Sequence, residues 1–501
     1  MPPRPCPAVS AAATWLRAGS LAGLLALLSS GPAQAAEPLA LKPCRIPGLA
    51  TEVLCGELRR PLDTRRPDGP SISLHLAVLP ATARRKLPDP VLFFAGGPGQ
   101  SAIGLAPQVQ PLLARLNTRR DLIFIDARGT GRSSPLRCPE TPPGAAAPPL
   151  SERFDPLAQL PRLRACIAGW ASLPHGDPRF YATASATDDV EAVRIALGLD
   201  QLNLVGVSYG TRAVLDYLQR HPGQVRRAVL DGVTPPDQGL PYSQAADGEA
   251  ALDASLRACE QDAACSRRLP ALRAQTAALL RQPPTGVSVR DPLDGRSQTW
   301  SPPPEALRSL LRATLYSPLA AAGLPHALSE AAAGRFEALL GLASMHGAAL
   351  GGRNGGLAEG PHFAVICSED FPRGPAAEAA EPYRSVCPDW PRAELSPEAG
   401  SLRPSPVPVL MLSGGADPVT PPRHAARAAE ALGPKVRHLV APHHGHGVLG
   451  TGCARPLLHR FIDAQDEADA LGPALSRAAD CLAAMPRPPV FLPPQPGAAA
   501  P

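Results

Sequence analysis

The sequence predicts an α/β fold in which a mostly parallel sheet is flanked by helices. Six short apolar runs, each bounded by Pro, Gly or Asp, have the length and composition of buried strands. They are residues 91–94, 122–125, 202–205, 228–230, 407–412 and 436–440. Helical patterns lie between some of them, near 187–197 and 211–221. Strands that alternate with helices are typical of a parallel sheet.

Composition supports a globular chain with many turns. The chain has 501 residues, of which 64 are Pro and 44 are Gly, and 44% are hydrophobic. This much Pro and Gly excludes a coiled coil, and neither a G-X-Y period nor a longer repeat is present. The net charge is +5, and the densest basic cluster is only the three residues 84–86. The sequence therefore does not predict nucleic-acid binding.

The strand signal is interrupted in the second half of the chain. From about 236 to 400 the sequence contains mainly Ala-rich and Leu-rich helical stretches, and strands resume at Val407. We therefore expect a sheet-based core in two parts, residues 36–235 and 401–485, with a helical cap at 236–400 inserted between them. Residues 486–501 are rich in Pro and Ala and predict a poorly ordered tail.

The amino-terminal segment, residues 1–35, has the pattern of a secretory signal. Arg4 and Arg17 precede or flank the apolar stretch 21–28, and a small-residue site follows at 33–35. We expect cleavage there, which predicts an exported protein in the periplasm or the extracellular medium. The alternative is an uncleaved anchor. No later apolar segment reaches the roughly 20 residues of a membrane span, so we expect no stable span after cleavage.

Ten cysteines remain once Cys6 leaves with the signal, and an even number in an exported chain predicts disulfides. Because closing a short loop costs less entropy, we expect near neighbours to pair. Spacing typical of zinc ligands is absent from the sequence, so no metal is predicted. The expected pairs are Cys44 with Cys55, Cys138 with Cys166, Cys259 with Cys265, Cys367 with Cys387 and Cys453 with Cys481.

The residues 206–210 read Gly-Val-Ser-Tyr-Gly and match the G-x-S-x-G pattern. An apolar strand enters the pattern and a helical pattern leaves it, a context that places Ser208 on a sharp exposed turn. A serine hydroxyl is a weak nucleophile unless a base accepts its proton and an acid orients that base. The sequence should therefore offer an Asp and then a His downstream.

Asp417 follows the apolar run 407–412 and a glycine turn, which places it just beyond the end of a strand. A simpler alternative is that Asp417 caps the helix that begins near Pro421. Three histidines follow the last strand, and we favour His446 as the base because it lies between two glycines on a loop. His443 and His444 are then surface or supporting residues.

An oxyanion hole needs backbone N–H donors beside Ser208. The turn itself supplies the N–H of Tyr209. For the second donor we choose Gly97, in the glycine turn 96–99 that follows the first apolar strand. The alternative is that these glycines only form a tight loop.

With these segments the chain resembles the alpha/beta-hydrolase aminopeptidases of the prolyl iminopeptidase and tripeptidyl aminopeptidase type. The secreted tripeptidyl branch is the most similar, given the signal, the cysteines and the insertion. Ala95 departs from the pattern, because iminopeptidases usually carry histidine there, and this weakens a proline-specific assignment. The matching segments are 96–99, 126–133, 206–211, 415–421 and 445–447.

The resemblance implies an alpha/beta-hydrolase fold and a serine aminopeptidase that acts on peptides with a free amino terminus. It also implies acidic residues that hold the substrate ammonium, for which Glu369 and Asp370 are candidates; otherwise both are surface acids. Asp126 and Arg128 are expected to brace loops. No cofactor is needed, and the sequence is compatible with a monomer without predicting an oligomeric state. The alternatives are a secreted carboxylic-ester hydrolase and a non-catalytic binding protein on a hydrolase scaffold.

Overall fold

The computed structural model describes residues 39–139, 148–351 and 356–494. The predicted signal segment, residues 1–35, and residues 495–501 of the predicted tail lie outside these ranges. The strands are β1 Lys42–Cys44, β2 Val53–Pro61, β3 Ser71–Leu79, β4 Val91–Phe94, β5 Leu122–Ile125, β6 Leu202–Val207, β7 Val225–Asp231, β8 Val287–Arg290, β9 Ser297–Trp300, β10 Val409–Gly414 and β11 Val436–Ala441.

Seventeen α-helices lie in the described chain. They are α1 Ala102–Asn117, α2 Leu150–Phe154, α3 Leu160–Trp170, α4 Thr183–Ala196, α5 Tyr209–Arg220, α6 Leu240–Gln261, α7 Ala263–Arg268, α8 Leu272–Arg281, α9 Pro304–Leu315, α10 Pro318–Ala332, α11 Glu337–Gly351, α12 Glu359–Val365, α13 Tyr383–Val386, α14 Pro422–Leu432, α15 Ala454–Asp463, α16 Glu467–Leu471 and α17 Pro473–Ala483.

Nine of these strands form one sheet, in the order β1-β2-β3-β5-β4-β6-β7-β10-β11. The strands from β5 through β11 in that order pair in parallel, and they coincide with the six predicted apolar runs. All four residues of both β4 and β5 are buried, as expected for strands covered on both faces. The predicted α/β class, with a mostly parallel sheet between helices, is confirmed.

The antiparallel edge of the sheet was not predicted. β1, β2 and β3 pair antiparallel with one another, and β3 joins the parallel strands by pairing antiparallel with β5. In β2, partly exposed residues such as Glu57 and Arg59 alternate with less exposed ones. A search for continuous apolar runs misses such strands, because an edge strand with one solvated face alternates polar and apolar residues.

Alternate residues of the parallel strands point to opposite faces of the sheet, and each face has its own hydrophobic core. One core packs β-strand residues such as Leu204 and Leu230 against α3, α4, α5 and α14. The other packs residues such as Val205 and Val229 against α1, α15 and α17. A parallel sheet covered in this way directs the carboxyl ends of β6, β7, β10 and β11 towards one edge, where ligands bind in open α/β folds.

A third hydrophobic core lies in the interval between β7 and β10, which consists mainly of the helices α6–α13. Leucines of α6, α9 and α10 pack together there, and the hairpin β8–β9 contributes Val289 and Trp300. The hairpin was not predicted. Because α6–α11 bury most of their apolar side chains against one another rather than against the sheet, they form a layer with its own packing, which we call the helical layer. The later helices α12 and α13 pack instead in the first core, with residues such as Phe363 and Tyr383.

The segment 486–494 does not behave as the predicted loose tail. Phe491 donates its backbone N–H to the carbonyl of Ala322 at 2.9 Å, and its ring lies 6.3 Å from that of His326 in α10. Val490 and Leu492 pack against the core of the helical layer. The prediction was wrong here because the composition of the segment does not reveal that two of its apolar side chains pack against another part of the folded chain.

The structure joins the ten cysteines in the five expected pairs: Cys44 with Cys55, Cys138 with Cys166, Cys259 with Cys265, Cys367 with Cys387 and Cys453 with Cys481. Their Cα atoms lie between 4.9 and 5.9 Å apart, within the range of protein disulfides. Each pair closes a loop of 28 residues or fewer.

Arg128, expected to brace loops, is buried and makes a bidentate pair with Asp189 of α4 at 2.8 Å for both hydrogen bonds. It also donates to the carbonyls of Leu62 and Phe180. One side chain therefore ties the loop after β5 to α4 and to two other segments.

We expect Arg128→Met to lower the free energy of unfolding by about 3–5 kcal/mol, because it leaves the carboxylate of Asp189 buried without its main partner. Arg179→Met is the matched control: Arg179 is 57% exposed and pairs with Asp177, so its loss should cost less than about 1 kcal/mol. Urea unfolding followed by circular dichroism measures both. Equal losses in the two variants would contradict a bracing role.

Candidate active site

Ser208 lies between β6 and α5 with φ 57° and ψ −130°, a strained conformation for a residue that is not glycine. Its backbone N–H donates to the carbonyl of Asp231 at 2.9 Å, and its own carbonyl accepts from the hydroxyl of Thr211 at 2.6 Å. Gly210 permits the close approach of the turn to β4, since a Cβ there would lie 2.3 Å from the carbonyl oxygen of Phe94. The sharp turn predicted at Ser208 is present.

Asp417 and His446 meet at the carboxyl ends of β10 and β11. His446 Nδ1 lies 2.8 Å from Asp417 Oδ2. Asp417 is buried and also accepts hydrogen bonds from the backbone N–H groups of Val419 and Thr420 and from the hydroxyl of Thr420, at 2.7–2.8 Å. These donors hold the carboxylate in one orientation, so Nδ1 of His446 carries the proton and Nε2 is left as the basic nitrogen.

Among the described residues, His446 is the histidine of the 443–446 cluster that contacts Asp417 through its ring. His443 is exposed, and the ring nitrogen Nδ1 of His444 has no hydrogen-bond partner within the described part of the chain. The carbonyl of His444 instead accepts from the backbone N–H of Ala416 at 2.9 Å. His444 therefore supports the loop through its main chain.

The charges of this pair stabilise each other. Burial acts to raise the pKa of Asp417, but the charge of His446 and its hydrogen bonds hold that pKa below the usual value. Burial acts to lower the pKa of His446, and the carboxylate of Asp417 outweighs it and raises that pKa above 6.5. The raised pKa makes His446 a stronger proton acceptor, which is the property that a general base needs.

Asp231, at the end of β7, connects the serine turn to the histidine loop. Its carbonyl accepts from Ser208, and its buried carboxylate accepts from the backbone N–H groups of Val448 and Leu449 at 2.8 Å each. Burial raises the pKa of Asp231 to about 6. Sequence reasoning missed Asp231, although an acid at the end of a buried strand was a usable signal.

The glycine turn after β4 lies against the serine. A Cβ on Gly96 would be 3.1 Å from the Cβ of Ser208, which shows how closely the two residues approach. Gly97 has φ 110°, and a Cβ there would meet Gly99, Gln100 and Leu357 instead. The turn thus lies where a second oxyanion donor is needed, and Gly97 as that donor stays a prediction.

Asp126 is buried and supports the same turn, as expected from the sequence. It accepts from the hydroxyl of Ser101 at 2.6 Å and from the backbone N–H groups of Ile103 and Arg132 at 3.1 Å each. Ser101 in turn caps α1 through the N–H of Gly104. The glycine turn is therefore followed by a helix that is fixed at its first residue.

The helical layer contacts the site through Tyr316, which follows α9. Its ring stands edge-on to the ring of His446 with the centroids 4.9 Å apart, and its carbonyl accepts the N–H of His446 at 2.9 Å. A second contact is made by buried His362 and Tyr383. His362 Nδ1 lies 3.1 Å from the carbonyl oxygen of Pro98, and Nε2 lies 3.0 Å from the hydroxyl of Tyr383. Nothing in the sequence signalled these three residues.

Glu369 and Asp370 do not lie on the surface. Both are largely buried beside Arg212 of α5, with Asp370 Oδ1 at 2.8 Å and Glu369 Oε2 at 3.5 Å from Arg212 Nη1. Glu369 also accepts from the N–H and the hydroxyl of Thr183, and that hydroxyl lies 2.8 Å from the hydroxyl of Tyr209. The alternative of surface acids was wrong, and Arg212, their partner, was missed.

Two family models match the chain. One, for the alpha/beta hydrolase fold, matches residues 89–270, and one described as TAP-like protein matches residues 375–469. The chain belongs to the alpha/beta hydrolases. The first model spans the glycine turn after β4, Ser208 and Asp231, and the second spans Asp417 and His446.

This alpha/beta hydrolase has named relatives. It is 29% identical over 447 residues to the serine protease Hip1 of Mycobacterium tuberculosis, covering 79% of this chain and 83% of that one. It is 31% identical over 211 residues to the tripeptidyl aminopeptidase of Streptomyces lividans, covering 39% and 38%. A solved structure, the proline iminopeptidase of Mycobacterium smegmatis, aligns with a TM-score of 0.37 at 16% identity, covering 85% of this chain and 99% of that one.

These findings confirm the resemblance predicted from the five sequence segments, to the tripeptidyl and prolyl types alike. The alpha/beta hydrolase is a serine hydrolase whose named relatives are peptidases. None of the helices in the described part of the chain is long and apolar enough to span a membrane.

We expect kcat/KM of the hydrolase for a chromogenic ester to rise with pH through an inflection above 6.5, since His446 must be neutral to accept a proton and its pKa is raised. Asp417→Asn should lower the rate by about 10³–10⁴-fold and move the inflection to lower pH, because the charge that raises the pKa of His446 is gone. A pH–rate profile of both proteins is the measurement. An inflection that stays in place in the variant would contradict the pairing.

A glycine beneath His446 offers a second test. Gly232 has φ 67°, and a Cβ there would lie 3.0 Å from Cε1 of His446 and 2.9 Å from the hydroxyl oxygen of Thr420. Gly198 has φ 65° with nothing within 4 Å of a built Cβ. Alanine at either position should cost about 1–2 kcal/mol of backbone strain.

We expect Gly232→Ala also to reduce kcat at least about tenfold, because the methyl group displaces the imidazole. Gly198→Ala should keep kcat unchanged. Thermal melts show whether the two variants are equally stable, and steady-state kinetics show the difference in rate. A similar kcat for both would mean that the position of His446 is not set by contact with residue 232.

Proposed function

We propose that this alpha/beta hydrolase is an exported serine aminopeptidase that cleaves peptide bonds near free amino termini through an acyl-enzyme. The observation that carries the proposal is the 2.8 Å contact between His446 Nδ1 and Asp417 Oδ2 next to the strained turn of Ser208. The peptidase names of its relatives support the choice of peptides over other acyl compounds.

In the proposed reaction Ser208 Oγ attacks the carbonyl carbon of the scissile peptide bond, and Nε2 of His446 takes the hydroxyl proton. Asp417 orients the imidazole and stabilises its positive charge. The N–H groups of Tyr209 and Gly97 receive the oxyanion, for which one donor is worth about 3 kcal/mol. His446 then gives its proton to the leaving amine. A water, deprotonated by the same nitrogen, hydrolyses the acyl-enzyme and restores Ser208.

The acid pair offers a site for the substrate's ammonium group. Two carboxylates, Glu369 and Asp370, share the single guanidinium of Arg212, and Asp370 Oδ2 has no hydrogen-bond partner among the described residues. Burial raises the pKa of Asp370 to about 7. A second cation would stabilise the charged form of both acids. Glu369 also lines a cavity of about 260 Å³ together with Thr183 and Arg212, which supplies room beside the pair.

Export is proposed from two features of the chain. Residues 1–35 have the pattern of a secretory signal. The described chain also contains five disulfides, which persist in oxidising compartments and are rare in the cytosol.

The proposed function is tested with purified protein and four substrate classes: aminoacyl amides, tripeptidyl amides, the N-acetylated forms of both, and short acyl esters. We expect turnover of the free-amine amides and a loss of at least about tenfold on acetylation, since acetylation removes the charge that the acid pair would hold. Ser208→Ala should abolish turnover of all of them. Cleavage of esters alone would reject the aminopeptidase and favour an esterase.

Glu369→Gln tests the ammonium site separately. It should raise KM for free-amine substrates while leaving the kinetics of a simple ester unchanged, because an ester without an amine does not use that charge. Glu378→Gln, a change of an exposed acid in the same segment, is the control. Equal effects on amine-bearing substrates and on esters would show that Glu369 supports the fold rather than the substrate.

A further inference from the structure

The helix α9 carries two arginines one turn apart that have different surroundings. Arg308 is 45% exposed and lies 3.9 Å from the carboxylate of Glu305. Arg312 is half-buried, and no carboxylate of the described residues lies within ion-pair distance of it. A half-buried guanidinium without a counter-charge loses hydration without gaining a partner, so it is an unusual feature inside a protein.

Arg312 lies on α9, one helical turn before the residue that contacts His446. It precedes Tyr316 by four residues, and residues four apart share one face of a helix. Tyr316 is the residue whose ring stands 4.9 Å from the ring of His446. Burial raises the pKa of Tyr316 to about 12, and the positive charge of Arg312 is the main influence that lowers it, which places the guanidinium near the phenol.

The charge of Arg312 also affects a second tyrosine, Tyr383. Burial raises the pKa of Tyr383, and the charge of Arg312 is again the main influence that lowers it. Tyr383 connects through His362 to the carbonyl of Pro98 in the glycine turn. The geometric link between Arg312 and the site remains its position one turn before Tyr316, whose ring contacts His446.

The acids around the site are already engaged. Asp417 is bound by His446, Asp231 accepts from Val448 and Leu449, and Asp370 pairs with Arg212. None of these carboxylates is within ion-pair distance of Arg312. Arg312 is therefore left free to pair with a carboxylate that a ligand supplies.

We propose that Arg312 binds a carboxylate of the peptide substrate, supplied either by an Asp or Glu side chain or by the free carboxyl terminus of a short peptide. This rests on the proposed function, since it concerns the substrates of the same site. A guanidinium can donate two parallel hydrogen bonds to a carboxylate, which gives orientation as well as attraction. The enzyme would then favour peptides that carry a carboxylate, either beyond the scissile bond as seen from the amino terminus or at a position next to that bond.

Binding to the Ser208→Ala protein tests this without turnover. Isothermal titration calorimetry measures the affinity of three kinds of peptide: tetra-alanine with a free carboxyl terminus, the same peptide with an amidated terminus, and amidated tetrapeptides in which one alanine is replaced by glutamate. We expect the carboxylate-bearing peptides to bind at least about tenfold tighter than the neutral amide. Preference for the free terminus and preference for a glutamate distinguish the two sources of the carboxylate.

Adding Arg312→Met should remove this preference and leave the affinity of the neutral amide within about twofold, whereas Arg312→Lys should retain part of it. Arg257→Met is the control, because Arg257 is 55% exposed in α6 and already pairs with Asp253. Melting temperatures of all variants check the fold. A preference unchanged by Arg312→Met, equal binding of all peptides to the parent, or an equal loss for the neutral amide would overturn the proposal.

Failure of the proposed function has a different result. If acetylating the peptide amine changes neither turnover by the active enzyme nor binding, the aminopeptidase assignment fails. The carboxylate preference and its dependence on Arg312 are measured independently of that comparison, so either proposal can be rejected alone.

Discussion

A single buried residue, Asp231, fixes the relative position of the two loops that carry Ser208 and His446. A carboxylate out of water is stable only when donors replace its hydration, and here the donors are the N–H groups of Val448 and Leu449. The carbonyl of the same residue holds the N–H of Ser208. Because β7 is central in the sheet and pairs with both β6 and β10, neither loop can move without breaking hydrogen bonds that no water would replace.

The helical layer is coupled to this centre through a backbone contact. His446 donates its N–H to the carbonyl of Tyr316, so the end of α9 and the histidine loop share a hydrogen bond. The layer has its own hydrophobic core, and the segment 486–494 adds Val490 and Leu492 to it. A layer that packs on itself can change its surface residues without unfolding the sheet beneath it. The sheet that positions His446 and the helical layer therefore have different hydrophobic cores, and the contact of Tyr316 with His446 is one place where they meet.

The sequence predicted those parts of the fold whose signals are local. Parallel core strands are continuous apolar runs, and Ser208, Asp417 and His446 each follow such a run, so pattern and position coincide. β2 gives no such run, and β3 alternates polar and apolar residues over 71–76 and is continuously apolar only in its last four residues, 76–79. The partner of Asp370 could not be predicted either, since Arg212 lies 158 residues away in the chain and the pairing exists only after both segments are buried.

If the proposed function is right, charges near the site, rather than Asp417 and His446 themselves, decide which acyl compound reacts. The paired Asp417 and His446 would serve an ester as well as a peptide. Glu369 and Asp370 share Arg212, and Arg312 of α9 has no acid partner among the described residues. A neutral substrate would leave the extra negative charge of the acid pair and the positive charge of Arg312 without partners and away from water. A substrate with an ammonium and a carboxylate would supply both partners and avoid that cost. Selectivity of this kind arises from the penalty on the wrong ligand, so it survives even where the attractive contacts are individually weak.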